Sequence, residues 1–302
     1  MTDNKNFDVI IIGGSYAGLS SAMALGRSLR SVLIIDSGLP CNRQTPHSHN
    51  FLTQDGKTPK EISTLAKGQV EKYETVRFHK GLATSGIKSG NGFEITTDTQ
   101  DKFTSKKLIF ATGLKDLMPD IKGFAACWGI SIIHCPYCHG FEYRNQNTGI
   151  IANGEKAFHL ASLVNNLTKK VTILTNGKAD FNLEQIEKLN RHDIEIIETD
   201  ISEIEHENGQ LKHIVFDDGS KLNFNAVYAA IPFTQHSDIP LSLGCEITEQ
   251  GYIKVDSFQK TTVEGIFACG DNSGMMRSIA NAVYSGNLTG AMVNALLSAA
   301  EF

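Results

Sequence analysis

Short apolar runs alternate with glycine-rich turns along the chain, and the period of each run predicts an element. The run from Phe7 to Ile12 is rich in β-branched residues and lacks polar alternation, the pattern of a strand buried on both faces of a parallel sheet. Then come the turn Gly13-Gly14-Ser15-Tyr16-Ala17-Gly18, a helical run through Leu29, and a second apolar run from Ser31 that ends on Asp36. Strand, glycine turn, helix and strand make a βαβ unit. Backbone N–H groups opening its helix can hold a pyrophosphate, and an acid at Asp36 is placed for a ribose hydroxyl. Against G-x-G-x-x-G the second glycine is Ser15, a small residue that weakens the match without cancelling it.

The design recurs. Leu108 to Phe110 is an apolar strand ending in Ala111-Thr112-Gly113, and Gly265 to Ala268 leads into Cys269-Gly270-Asp271. Such strand ends are where a doubly wound sheet binds its ligand. A second βαβ pattern runs from Thr148 to Ala152, through a helix around Lys156 to Leu167, into Lys170 to Thr175. The fold class is therefore α/β, with two doubly wound dinucleotide-binding domains, the second inserted in the first. The seams fall near Lys115 and Leu243, so residues 1–115 and 243–302 form one domain and 116–242 the other. Between these landmarks, Ser37 to Gly56 reads as a ligand-wrapping loop and Lys57 to Tyr73 as a helix. Val76 to Phe110 alternates as short strands with a hairpin at Gly90-Asn91-Gly92. A last helix runs from Ile279 to Ala299, its N-terminus placed to face a reduced, anionic cofactor.

Composition narrows the function classes. A chain of 302 residues with a formal net charge of -5 and evenly spread charges offers no basic stripe for nucleic acid and no polybasic membrane anchor. No apolar run reaches membrane-spanning length, and the polar stretch Met1 to Phe7 lacks a signal-peptide pattern, so a cytoplasmic location is expected. Six cysteines are too sparse for a disulfide framework. Cys41, Cys127, Cys245 and Cys269 read as small buried or half-buried residues in a reducing cytosol.

The remaining two carry chemistry. Cys135-Pro136-Tyr137-Cys138-His139-Gly140 holds two thiols that can close into a disulfide and act in turn as nucleophile and leaving group. His139 places a group that titrates near neutrality beside a sulfur whose reactivity depends on losing its proton. A structural zinc site would need four ligands, and neither Cys127, His134 nor the pair His47 and His49 supplies the usual spacing. No metal is expected.

In this order, these motifs resemble the low-molecular-weight thioredoxin reductases over essentially the whole chain; Cys135 through Arg144 is the most specific part. The resemblance implies FAD held by Gly13, Gly14, Ser15, Tyr16, Ala17, Gly18, Asp36, Ser37, Asn42, Ala83, Thr112, Gly113, Gly270 and Asp271. Arg277 and Ser278 would lie near the isoalloxazine, Cys138 would face the flavin and Cys135 would exchange with substrate. Substrates would be a dithiol or disulfide, either a small molecule or a thioredoxin-like protein, and the assembly a homodimer. Phe124 and Trp128, just before the redox pair, offer a substrate surface or a dimer contact as alternatives to ordinary packing, which is the expectation.

Three departures concern NADPH. The inserted turn reads Ala152-Asn153-Gly154-Glu155-Lys156-Ala157, without the first glycine and with a carboxylate where pyrophosphate belongs. The following strand end, Thr175 to Lys178, carries one lysine and no arginine, and Pro232 stands where a glycine N–H is usual. The form Cys-x-x-Cys-His-Gly is similar to the gliotoxin-type dithiol oxidase branch, which returns flavin electrons to oxygen and also makes His49 a candidate flavin contact. Two rivals remain: an NADPH-dependent reductase of thioredoxin, and a flavin-binding regulatory protein without turnover.

Overall fold

The computed structural model describes residues 5–302; the expectation for the polar residues Met1 to Asn4 lies outside them. The chain opens with β1 (Asn6–Ile12), α1 (Tyr16–Arg27), β2 (Val32–Asp36), α2 (Pro59–Val70) and β3 (Val76–Lys80). Then follow β4 (Ala83–Ser89), β5 (Gly92–Thr97) and β6 (Lys102–Phe110). β3, β2, β1 and β6 lie side by side in parallel, with Ile10 opposite both Leu33 and Leu108. The first half of β6 also pairs antiparallel with β5, and β5 with β4, through the predicted hairpin at Gly90. Val9, Ile11, Ile34 and Ile109 are wholly buried under α1, each stabilising the fold by about 1.5–3 kcal/mol.

Local chemistry sets the boundaries. α2 starts at Pro59 because Thr58 and Glu61 form a reciprocal capping box and proline fits the first helical turn. α1 stops two residues short of the predicted Leu29, which takes φ 58° and turns the chain toward β2.

The middle of the chain builds a second sheet. β7 (Leu114–Asp116), α3 (Phe124–Cys127), β8 (Ile132–Ile133), α4 (Pro136–His139), β9 (Thr148–Ile151), α5 (Gly154–Val164) and β10 (Val171–Leu174) come first. They are followed by α6 (Leu183–Arg191), β11 (Glu195–Ile197), β12 (Ile201–Glu207), β13 (Gln210–Phe216), β14 (Lys221–Leu222), β15 (Ala226–Ala229) and β16 (Phe233–Gln235). β11, β10, β9, β15 and β8 form a parallel sheet in that order, while β12 to β14 make a separate antiparallel sheet. The second βαβ unit is where the pattern placed it, with its helix shifted to 154–164. Phe124 is fully buried and stacks on Trp128 at 5.9 Å, which bears out the packing reading.

β7 pairs antiparallel with β16, so the chain leaves the first sheet and returns beside itself. After α7 (Ile239–Ser242) it re-enters the first sheet as β17 (Ile266–Ala268), parallel to β6, and ends in α8 (Ile279–Glu301). Gly286 and Gly290 of α8 lie against the backbone of Ala17 and Ser21 with no room for a Cβ, which lets α8 seat directly on α1. Among the described residues, no helix is long and apolar enough to cross a membrane. Cys127, Cys245 and Cys269 are buried as expected; Cys41 is instead exposed, because it sits in the irregular stretch after β2 rather than in an element.

Candidate active site

The ends of β1, β2, β6 and β17 converge on one cradle. Gly13 takes φ +105° with the Ala111 carbonyl against its Cα, and a Cβ on Gly18 would overlap the Gly13 carbonyl, so helix and turn close tightly only with glycine at both positions. Asp36 accepts from the N–H of Gly14 at 2.9 Å and of Gly38 at 3.1 Å, fixing its carboxylate across the turn. Ser15 occupies the N-cap of α1 without a side-chain capping bond, so among the described residues its hydroxyl is not engaged in capping and can face a ligand. Thr112 accepts from Asn272 Nδ2 at 3.2 Å, Gly113 has φ 64°, and the Gly270 N–H donates to Ser285 at 3.0 Å. Burial raises the pKa of Asp271, with Arg277 opposing the shift.

Other expected contacts have structural duties. The Tyr16 hydroxyl donates to the Pro59 carbonyl at 3.3 Å and accepts from Asn42 at 3.4 Å, tying the long loop to α2. Ala17 is buried against Gly270 and Gly286, Ala83 opens β4 with its side chain in the core, and Ser37 is exposed beyond the strand end. Ser278 caps α8 by accepting from the Asn281 N–H at 3.1 Å. Asn272 was not foreseen: its Nδ2 also donates to the Phe110 carbonyl at 2.9 Å, while its Oδ1 and Gln235 Oε1 are buried without a partner among the described residues. Its position directly after Asp271 was the available signal.

The redox motif sits on α4. Cys135 is extended, Pro136 starts the turn, and Gly140 lies against the Pro136 carbonyl and Leu167 with no space for a side chain, which explains the glycine closing the hexapeptide. The Cys138 thiol donates to Cys135 Sγ at 2.8 Å. That bond lowers the Cys135 pKa to about 7 against the opposing effect of burial, and it raises that of Cys138, which burial raises further. One sulfur of the pair is thus poised as thiolate near neutral pH.

His139 is lowered by burial, with His49 adding to the shift and the His47 backbone and Glu142 opposing it. Its Nε2 is buried and has no partner among the described residues. Its ring meets that of His49 edge-on at 6.2 Å. His49 in turn lies 3.6 Å from Glu142 and 3.7 Å from Asp55, so the loop histidine expected at the flavin stands against the redox motif. His49, Asp55, Tyr137, Cys138, Phe141 and Glu142 surround a pocket of about 230 Å³; of the two sulfurs, only Cys138 is on its wall.

A buried ion pair joins the two halves of the site. Arg277 makes a two-pronged bond to Asp116, at 2.8 and 3.2 Å, and its Nε lies 3.7 Å from Asp271. The Trp128 indole donates to the same Asp116 carboxylate at 3.2 Å. Among the described residues no group of three or more His, Cys, Asp or Glu side chains is placed to hold a metal ion.

At the second βαβ turn the chain uses its own donors. Asn153 Oδ1 accepts from the N–H of Gly154 at 2.8 Å and of Asp180 at 2.9 Å, and Asn153 Nδ2 donates to the Lys178 carbonyl. Glu155, in the first turn of α5, accepts from Gln185 at 2.7 Å. Glu198 accepts from the Ala179 N–H at 2.6 Å, and Asp200 lies beside Gly177.

Residues 7–286 match the family model described as pyridine nucleotide-disulphide oxidoreductase. The chain belongs to this family. It is 33% identical over 312 residues to the thioredoxin reductase tcpT of Claviceps purpurea, covering 99% of this chain and 97% of that one. Among solved structures, an oxidoreductase from Agrobacterium tumefaciens is 36% identical with a TM-score of 0.91, covering 97% of this chain and 99% of the other. A putative thioredoxin reductase TrxB from Bacillus anthracis is 28% identical with a TM-score of 0.93, covering 98% and 100%. The protein is thus an FAD-dependent oxidoreductase of the thioredoxin reductase-like group, with the gliotoxin-type kinship expected from its motif. The glycine cradle, the Ser15 hydroxyl and the Asn272 Oδ1 without a partner among the described residues fit such a cofactor.

Proposed function

We propose that this oxidoreductase oxidises a dithiol through Cys135 and Cys138 without drawing electrons from NADPH. The observation that carries this reading is the second βαβ turn. A pyrophosphate needs free N–H donors at a helix N-terminus, yet Asn153 already accepts from the Gly154 N–H that opens α5 and from the Asp180 N–H of the facing loop, and Glu155 adds a negative charge to the first turn. Glu198 and Asp200 make the site of a 2'-phosphate acidic, with Lys178 the lone nearby cation of that turn.

In the cycle, His139, kept neutral by burial, takes a proton from the incoming thiol. The substrate thiolate attacks Cys135, the S–S bond breaks, and a mixed disulfide forms while His139 returns the proton to Cys138. The second substrate thiol then passes its proton through the again neutral His139 to the leaving Cys135 and attacks the substrate sulfur of the mixed disulfide. Product disulfide forms and Cys135 departs; its pKa of about 7 makes it the better leaving group. Two electrons and two protons have moved from substrate to the cysteine pair. FAD, when bound, supplies a two-electron acceptor for the reduced pair, one that oxygen or another oxidant regenerates. Residues 1–115 and 243–302 would hold it, and the inserted 116–242 would carry the cysteines.

A second reading, NADPH-dependent reduction of thioredoxin, draws on the names of the curated relatives. The two part on a simple assay. With dithiothreitol and no nicotinamide, the purified protein is expected to consume oxygen in proportion to dithiol oxidised; oxygen uptake or disulfide reduction that requires NADPH supports the reductase instead.

A further inference from the structure

Asp116 is a buried carboxylate that accepts three side-chain hydrogen bonds. It lies at the end of β7, where the chain crosses from the first sheet, and faces Phe233 of β16 in register. Its side chain is 10% exposed and that of Arg277 12%. Its three bonds come from two distant stretches: both from the Arg277 guanidinium, on the segment between the Asp271 turn and α8, and one from Trp128, at the end of α3. From Trp128 the chain runs through β8 directly into Cys135. One carboxylate therefore ties the cysteine-bearing segment to the cofactor cradle.

Stability alone is a poor explanation for this arrangement. Desolvation of a buried pair offsets much of its attraction, so such pairs are weak stabilisers and are better retained for fixing one geometry among several. A planar guanidinium held at both prongs also leaves little freedom of angle. The charge has a second consequence. Arg277 acts on Cys135 and on His134, the residue before it; at His134, where burial brings the pKa to about 4, Arg277 pushes down and Asp116 pushes up. The other titratable groups facing Cys135 are Cys138 and the Tyr228 phenol.

We propose that Asp116 is a positioning residue for the redox step, holding the Cys135 segment against the cofactor cradle through Trp128 and Arg277 and masking the Arg277 charge from the cysteine. The positioning half rests on the dithiol-oxidation reading; the masking half does not.

The test uses the flavin-loaded protein and the variants Asp116→Asn, Asp116→Glu and Trp128→Phe. Two quantities are measured: the pH midpoint for alkylation of reduced Cys135 by iodoacetamide, located by peptide mass, and the anaerobic rate of flavin bleaching by dithiothreitol. Asn at 116 keeps an acceptor for the indole but removes the charge. Its alkylation midpoint is expected to fall by about half a pH unit or more as Arg277 is unmasked, and its bleaching rate to fall about tenfold or more through misplacement. Glu at 116 should restore the midpoint, an effect a purely structural role would not produce. Trp128→Phe keeps the ion pair, so it should slow bleaching while leaving the midpoint in place. An Asp116→Asn protein with wild-type midpoint and wild-type rate overturns the proposal. Should that variant not fold, an unchanged bleaching rate in Trp128→Phe overturns it instead. A wild-type protein that dithiothreitol fails to bleach counts against the oxidation reading, and the alkylation midpoint still decides the masking.

Discussion

Cys138→Ser should lose dithiol oxidation by at least about a thousandfold, because the two-electron switch needs both sulfurs and a hydroxyl cannot close a disulfide. The flavin should stay bound, since no part of the glycine cradle touches the substitution. Stability should change little: Cys138 is half-buried on a short surface-facing turn and fills no core cluster. The variant has a positive signature as well. With its partner gone, Cys135 should be trapped by an activated substrate disulfide, and the adduct should resist release because no second protein thiol resolves it. Intact mass and steady-state rate measured on one preparation check both halves. Residual oxidation near the wild-type rate would show that electrons bypass the pair.

His139→Ala should lower the dithiol rate by about 10²–10⁴-fold, the usual contribution of a positioned acid/base group. The pH dependence has a definite sign. Burial favours the neutral imidazole, so the folded pKa lies below the ordinary histidine value of about 6.5. Above that lowered pKa His139 can accept a proton; as pH falls through it, the ring is already protonated and the rate drops. The acid limb of kcat/KM should therefore lie below pH 6.5 in the wild type and vanish in the alanine variant, leaving a profile set by the thiols. A variant with the wild-type rate and the same acid limb would assign the proton to another group, and His49, edge-on at 6.2 Å, is the nearest alternative.

What could be read from the chain depended on how local the cause was. Parallel strands showed as unbroken apolar runs, and β1, β2 and the last residues of β6 lie where those runs fall, because a strand buried on both faces has no polar alternation to blur it. The hairpin at Gly90 and the capped start of α2 at Pro59 likewise depend on neighbours a few residues apart. The helix α6 carried a legible signal that went unread: Asn182 and Gln185 form a capping box. The antiparallel sheet β12 to β14 was missed because its strands mix charged and apolar residues at both faces. At the site, the cysteine pair and the glycine turns announced themselves by spacing. The bond between Asp116 and Arg277, 161 residues apart, had no periodic trace and appears only once β7 and the segment before α8 are folded together. The contact of His49 with His139 and Glu142 likewise left no trace in the sequence, since nothing in a loop sequence tells which side chains a residue will meet.

The central claim is that electrons enter from a dithiol and not from NADPH. The most direct measurement is the flavin absorbance of the oxidised protein, mixed without oxygen with excess NADPH and, separately, with excess dithiothreitol. The account predicts that NADPH leaves the yellow band unchanged over many turnover times, that the dithiol bleaches it, and that admitting air restores the colour. Rapid bleaching by NADPH, with none by the dithiol, would contradict it and would mean that the turn at Asn153 opens to bind a nucleotide.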